Sequence, residues 1–178
     1  MPKLKIVSFL GYKESGKTTA LEHVCRKLTL DGWKVGTIKH IHESEFTIDH
    51  KGKDTWRHAR AGASVVVSVS KKELAVIRKC NTSEVGLESI FKIFKAEHMD
   101  FVLIEGYYKK LAKEKRRNIT RILCAKNTED ALELLHEHLR PICICGKIAE
   151  STAKDLLGTP FAKFPRDKSK VMRLIGRP

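Results

Sequence analysis

Residues Gly11-Tyr12-Lys13-Glu14-Ser15-Gly16-Lys17-Thr18 follow the spacing G-x-x-x-x-G-K-[ST], a set of residue types suited to holding a chain of phosphates. Gly11 and Gly16 let the backbone wrap with its amides turned inward and no Cβ in the way. Lys17 is placed to neutralise β- and γ-phosphates. Thr18 offers its hydroxyl to Mg2+, an ion that keeps most of its own waters and takes few protein ligands. Thr19 opens the helical pattern that follows. The second chemical anchor is Glu105, which ends the apolar run Phe101-Val102-Leu103-Ile104 and precedes Gly106. An acid delivered beside a phosphate loop can hold Mg2+, directly or through water, or orient an attacking water. Lys17 and Glu105 are therefore the candidate catalytic residues, and Thr18 and Glu105 the candidate metal ligands.

Other constellations are weaker. His40, His42, His50 and His58 lie near carboxylates and admit a zinc reading, but they lack a fixed four-ligand spacing. Cys143-x-Cys145 has no second ligand pair for a metal, and the five cysteines, odd in number and mostly in apolar segments, read as reduced core residues. Lys109, Lys110, Lys113, Lys115, Arg116 and Arg117 form the densest basic run, either a solvated loop or a contact for an anionic ligand or an acidic partner.

Elements must bring the loop and Glu105 together. An apolar run at 4–10 reads as a buried strand, and Leu21, Val24, Cys25 and Leu28 mark one face of the helix after the loop. The loop thus sits between strand and helix, with the helix N-terminus facing the phosphates. Further strands are predicted at 33–39, 63–69, 73–78, 99–106, 119–125 and around Ile142. The pair 63–69 and 73–78 is close enough to be a hairpin, so the sheet is expected to be mostly parallel but partly mixed. Helices are predicted at 54–61, capped by Asp54, at 83–97, at 128–139, opened by Thr128, at about 148–157 and at 168–175; residues 107–117 read as a basic loop. This alternation describes a layered α/β fold.

At 178 residues the chain suits one domain, 1–178. No stretch approaches the roughly 18 apolar residues of a membrane span, and the chain is expected to be cytoplasmic. A net charge of +14, from 35 Lys and Arg against 21 Asp and Glu, favours anionic partners without choosing among them.

With these residues in view, the chain resembles the molybdopterin-guanine dinucleotide biosynthesis protein B (MobB) family of small phosphate-loop GTP-binding proteins. The resemblance rests on the loop, on Val35-Gly36-Thr37-Ile38-Lys39-His40-Ile41-His42, on Gly52-Lys53-Asp54-Thr55-Trp56-Arg57-His58 after Ile48-Asp49, and on Leu103-Ile104-Glu105-Gly106-Tyr107. Glu43 and Lys51 depart from it, standing where the family commonly has His and Pro. The resemblance implies a three-layer phosphate-loop NTPase fold and a homodimer that binds GTP and Mg2+, with weak GTPase activity. It implies a molybdopterin guanylyltransferase as partner, with molybdopterin itself a candidate ligand. Carried over by position, Gly11 to Thr19 bind phosphates, Asp49 and Asp54 lie where the γ-phosphate is sensed, and Lys39 and His40 end a strand nearby.

Guanine selection is the least defined feature. Where many GTPases carry Asn-Lys-x-Asp, this chain has Lys126-Asn127-Thr128-Glu129-Asp130, in which Lys126 could stack on a base and Asp130 accept from guanine. A kinase using ATP, with the basic run 109–117 as its lid, is the competing enzyme class. A nucleic-acid-associated ATPase is suggested by charge alone, with no recognised nucleic-acid-binding motif.

Overall fold

Lys5–Leu10 forms β1, and from Ile6 onward every side chain in it is buried. Such a strand, apolar without alternation, needs cover on both faces and belongs in the middle of a parallel sheet. The computed structural model, which describes residues 4–113, 119–137, 139–150 and 153–178, places it there. Two compact units divide the chain: residues 1–40 with 93–178, and residues 41–92.

In the first unit, β1 is followed by α1 (Lys17–Leu30), β2 (Val35–Lys39) and, after the second unit, β5 (Phe101–Glu105), α4 (Tyr108–Lys113), β6 (Ile119–Cys124), α5 (Thr128–His136) and β7 (Cys143–Cys145). The strands lie in the order β2-β5-β1-β6-β7, and every adjacent pair is parallel. Val7 and Phe9 share a face with Phe101, Leu103, Ile122 and Cys143, and Ala20, Val24 and Leu28 of α1 join that core with Val171 and Ile175 of α6 (Lys168–Ile175). Residues of the opposite face, including Val102, Ile104 and Leu123, are equally buried, and α5 packs on β6.

In the second unit, α2 (Asp54–Arg60) packs on β3 (Val65–Val69), which pairs with β4 (Leu74–Arg78) in an antiparallel hairpin. Its turn is fixed by Ser70, whose hydroxyl oxygen accepts from the amides of Lys72 and Glu73 at 3.3 and 3.0 Å. The α/β class and the hairpin are as the sequence predicts. The antiparallel pairing, however, forms a two-stranded sheet of its own. Helix α3 (Leu87–Ala96) follows, its residues 87–92 counted with the second unit and 93–96 with the first.

Four local expectations are corrected. The segment after Gly106 is helical in α4, where Leu111 alone among the described side chains is fully buried and so gives no periodic signal. The helix predicted at 148–157 is a 3-10 turn, Lys147–Glu150, followed by the hairpin strands β8 (Asp155–Leu156) and β9 (Thr159–Pro160). Leu157 and Gly158 turn that hairpin with φ of 50° and 77°, left-handed values that a helix cannot hold. Asn127, rather than Thr128, caps α5, accepting from the Asp130 amide at 2.8 Å. Asp54 lies in the first turn of α2, and the cap position is Lys53. Among the described residues, no helix is long and apolar enough to cross a membrane.

Candidate functional site

The loop leaves β1 at Gly11, whose φ is 155°. A Cβ there would lie 2.1 Å from the Cys124 carbonyl oxygen and 2.6 Å from Ser15 Oγ, so glycine alone fits. Glu14 (φ 61°) and Gly16 (φ 87°) reverse the chain and aim it into α1. Gly16 is the cap residue of α1 and no side chain caps the helix, so the first-turn amides and the positive end of the helix dipole face the loop. Lys17 folds back over the loop, its Nζ donating to the Tyr12 carbonyl and lying 3.5 Å from Ser15 Oγ. Burial lowers the pKa of Lys17, with Cys124 and Glu105 acting against that shift.

Gly146 is the residue that motif reading overlooks. At φ 96°, a Cβ on it would meet the carbonyl oxygens of Ala125 at 2.4 Å and Ser15 at 2.5 Å. Its lack of a side chain lets the segment after β7 support the loop from beneath. A glycine directly after a short apolar strand was the available signal, but its neighbours are distant in sequence.

Parallel register carries the second anchor to the same place. Phe9 pairs with Glu105, and Lys39 pairs with Glu105 from the other side, so the ends of β1, β5 and β2 converge. Glu105 is only 7% exposed. Its Oε1 accepts from Thr18 Oγ1 at 2.8 Å and forms an ion pair with Lys39 Nζ. The His40 amide donates to the Glu105 carbonyl at 2.9 Å, and the His40 ring packs on Tyr107 at 4.2 Å. Gly106 permits this approach, since a Cβ there would come within 3.0 Å of His40 Cβ.

The donor set suits a hard cation: a hydroxyl and a carboxylate oxygen in contact, with no soft ligand between them. Thr18 and Glu105 are the residues that would hold Mg2+, which would supply charge neutralisation to phosphates lying on Lys17 and the loop amides.

Tyr12 and Tyr108 flank the loop edge to face at 6.4 Å. Desolvation and a hydrogen bond to Glu133 push the Tyr12 phenol up to about 12. Lys126 bears on Lys17 electrostatically, whereas Asp130 Oδ2 accepts from the Lys126 amide at 3.4 Å, tying together the two residues that the sequence offers for contact with a base.

The structure thus gathers residues 11–19, Lys39, His40 and Glu105. Asp49 and Asp54 belong to the unit 41–92. There Asp49 Oδ1 accepts from Thr55 Oγ1 at 2.8 Å, while its Oδ2 is buried with no hydrogen bond among the described residues. Asp54 is exposed and lies 3.5 Å from Arg57. Among the described residues no group of three or more His, Cys, Asp or Glu side chains could hold a metal, so the histidine zinc reading finds no support. Cys124 and Cys145 face each other at 3.1 Å, and burial beside Cys145 raises the Cys143 thiol to about 12. Of the basic run, Lys115, Arg116 and Arg117 lie outside the described residues, and Lys110 sits over the Tyr107 ring at 5.5 Å.

Residues 6–137 match the family model for molybdopterin guanine dinucleotide synthesis protein B. The chain belongs to the MobB family. A relative from Methanocaldococcus jannaschii is 33% identical over 135 residues, 76% of this chain and 53% of the relative. The molybdopterin-guanine dinucleotide biosynthesis adapter protein of Haemophilus influenzae is 32% identical over 105 residues, 59% of this chain and 58% of that protein. The matched stretch therefore spans little more than half of these relatives. Two solved MobB structures share the fold: that of Bacillus subtilis, at 23% identity and a TM-score of 0.72, covers 97% of this chain and 98% of its own. A MobB homologue from Bacillus stearothermophilus, at 21% and 0.67, covers 96% of this chain and 97% of its own.

Proposed function

We propose that this MobB-family chain is a GTP-binding adapter with slow Mg2+-dependent GTPase activity, acting in the cytoplasm beside the guanylyltransferase that attaches GMP to molybdopterin. The observation that carries the reading is the junction of Thr18 and Glu105 at the uncapped start of α1, with Lys17 bent over the loop. It offers anion-binding amides, a lysine cation and, with Glu105 brought in by β5, an oxygen pair for Mg2+ at one strand–loop–helix junction. Hydrolysis would be slow because the site has few groups to stabilise a transition state: Lys17, Lys39 and the loop amides, without an arginine reaching in from the residues just described. Residues of the unit 41–92, Asp49 and Asp54 among them, would respond to the γ-phosphate.

The homodimer in this reading is supported by one face of the hairpin. Val65, Val67, Val69, Leu74 and Val76 all point the same way, and each is at least 45% exposed. An apolar stripe of that kind suits pairing with its own copy.

The test mixes the chain with the guanylyltransferase, molybdopterin and GTP with Mg2+, and follows dinucleotide formation. A several-fold rise that Lys17→Ala abolishes supports the proposal. No rise, or a rise that Lys17→Ala leaves intact, contradicts it.

A further inference from the structure

At the edge of the sheet where β1 and β5 begin, opposite the phosphate loop, lies a cavity of about 710 Å3. That is within the range of small-molecule sites, about 300–1,000 Å3. Its floor is apolar: Leu28 and Phe101 are buried, Met172 and Trp33 half-buried, and Trp33 packs edge-on against Phe101 at 5.9 Å. Its rim carries Lys27, Asp31, Arg173 and Arg177, three cations against one acid.

The single acid is already engaged, since Asp31 is paired with Lys27. The helix ends beside the cavity are satisfied as well. The Leu28 carbonyl accepts from Asp31 and Trp33 amides, both at 3.1 Å, and the Met172 carbonyl accepts from Gly176 at 3.0 Å. The field over the floor is therefore set by Arg173 and Arg177, both exposed and without an ion pair among the described residues. Lys5 Nζ, donating to the Arg177 carbonyl at 3.0 Å, adds a further positive group at that end.

We propose that this cavity is a second ligand site, taking a planar aromatic ring that carries an acidic group. The ring would lie on Trp33 and Met172, where an aromatic edge and a thioether offer contact to a flat surface. The acid, whether sulfonate, carboxylate or phosphate, would meet the two guanidinium groups, whose fork geometry fits paired oxygens. None of these residues belongs to the phosphate loop or the Glu105 cluster, so the site stands independently of the proposed GTP function.

The probe is 8-anilinonaphthalene-1-sulfonate, an aromatic anion whose emission rises on binding. The chain has two tryptophans, Trp33 and Trp56, so Trp56→Phe with excitation selective for tryptophan leaves Trp33 as the only tryptophan donor for energy transfer to the probe. The expected result is saturable binding of one equivalent with transfer from Trp33, weakened at least tenfold by Arg173→Ala with Arg177→Ala. Both arginines are exposed, and an unchanged melting temperature confirms that the double variant is folded. Lys17→Ala, which disables the phosphate loop, should leave probe binding unchanged. The proposal is overturned by absence of binding, by binding that the double variant leaves unchanged, or by binding that is lost in Lys17→Ala. Probe held on the apolar face of the hairpin would give the second of these results.

Discussion

At the scale of single residues, the site depends on atoms that are missing from glycines as much as on side chains. Gly11→Ala would drive a Cβ to 2.1 Å from a backbone oxygen that cannot swing away. The expected cost is about 2–4 kcal/mol of stability, from overpacking plus the left-handed backbone. Thermal melting together with nucleotide titration checks this, and the variant should lose phosphate binding even at temperatures where it remains folded. Lys17 carries a pH signature. Burial holds its pKa below the ordinary 10.5, so in the free protein its charge is lost earlier than usual as pH rises. Bound phosphates would raise that pKa again, because an anion favours the charged form. Nucleotide binding at alkaline pH, where the free Lys17 has begun to lose its proton, should therefore take up protons, and affinity should fall as pH rises through the lowered pKa. Calorimetry in two buffers of different ionisation enthalpy measures the uptake, which Lys17→Met should abolish.

At the scale of elements, what could be read in the sequence was whatever is encoded locally. The phosphate loop, β1, α1 and β5 were legible because fully buried apolar runs bracket residues of fixed chemistry. Helix α4 was not, since Leu111 is its only fully buried described side chain and the basic residues around it look like a solvated loop. The hairpin of β8 and β9 was missed because Leu157 adopts a left-handed conformation that leucine rarely announces. The hairpin of β3 and β4 was found, but the sequence could not say that it would pair only with itself. Its apolar face bears on assembly. Val67 and Val76 are directly opposed, so Val67→Lys places a charge at the centre of that stripe. Because Val67 is 55% exposed, the change should alter monomer stability by only about 0.5 kcal/mol. The proposed dimer should then dissociate by at least tenfold more readily, read by sedimentation; an unchanged dimer would place the interface elsewhere.

At the scale of the whole molecule, one parallel sheet presents different chemistry at its two edges. The carboxyl ends of β1, β2 and β5 gather Lys17, Thr18, Lys39 and Glu105, as expected for a sheet whose helices start at that edge. The opposite edge holds the cationic cavity between α1 and α6. The net charge of +14 is consistent with anionic ligands at both. Family membership is legible in the motifs, whereas the choice of base is not, because Asn127 is spent on capping α5 and Asp130 on the Lys126 amide. The most direct measurement is therefore equilibrium binding of GTP and of ATP, each with Mg2+, to the protein and to Lys17→Ala, with Trp56 in the unit 41–92 as the fluorescence reporter. The account predicts a clear preference for GTP that is lost in Lys17→Ala. A preference for ATP, or binding that survives the loss of Lys17, would contradict it.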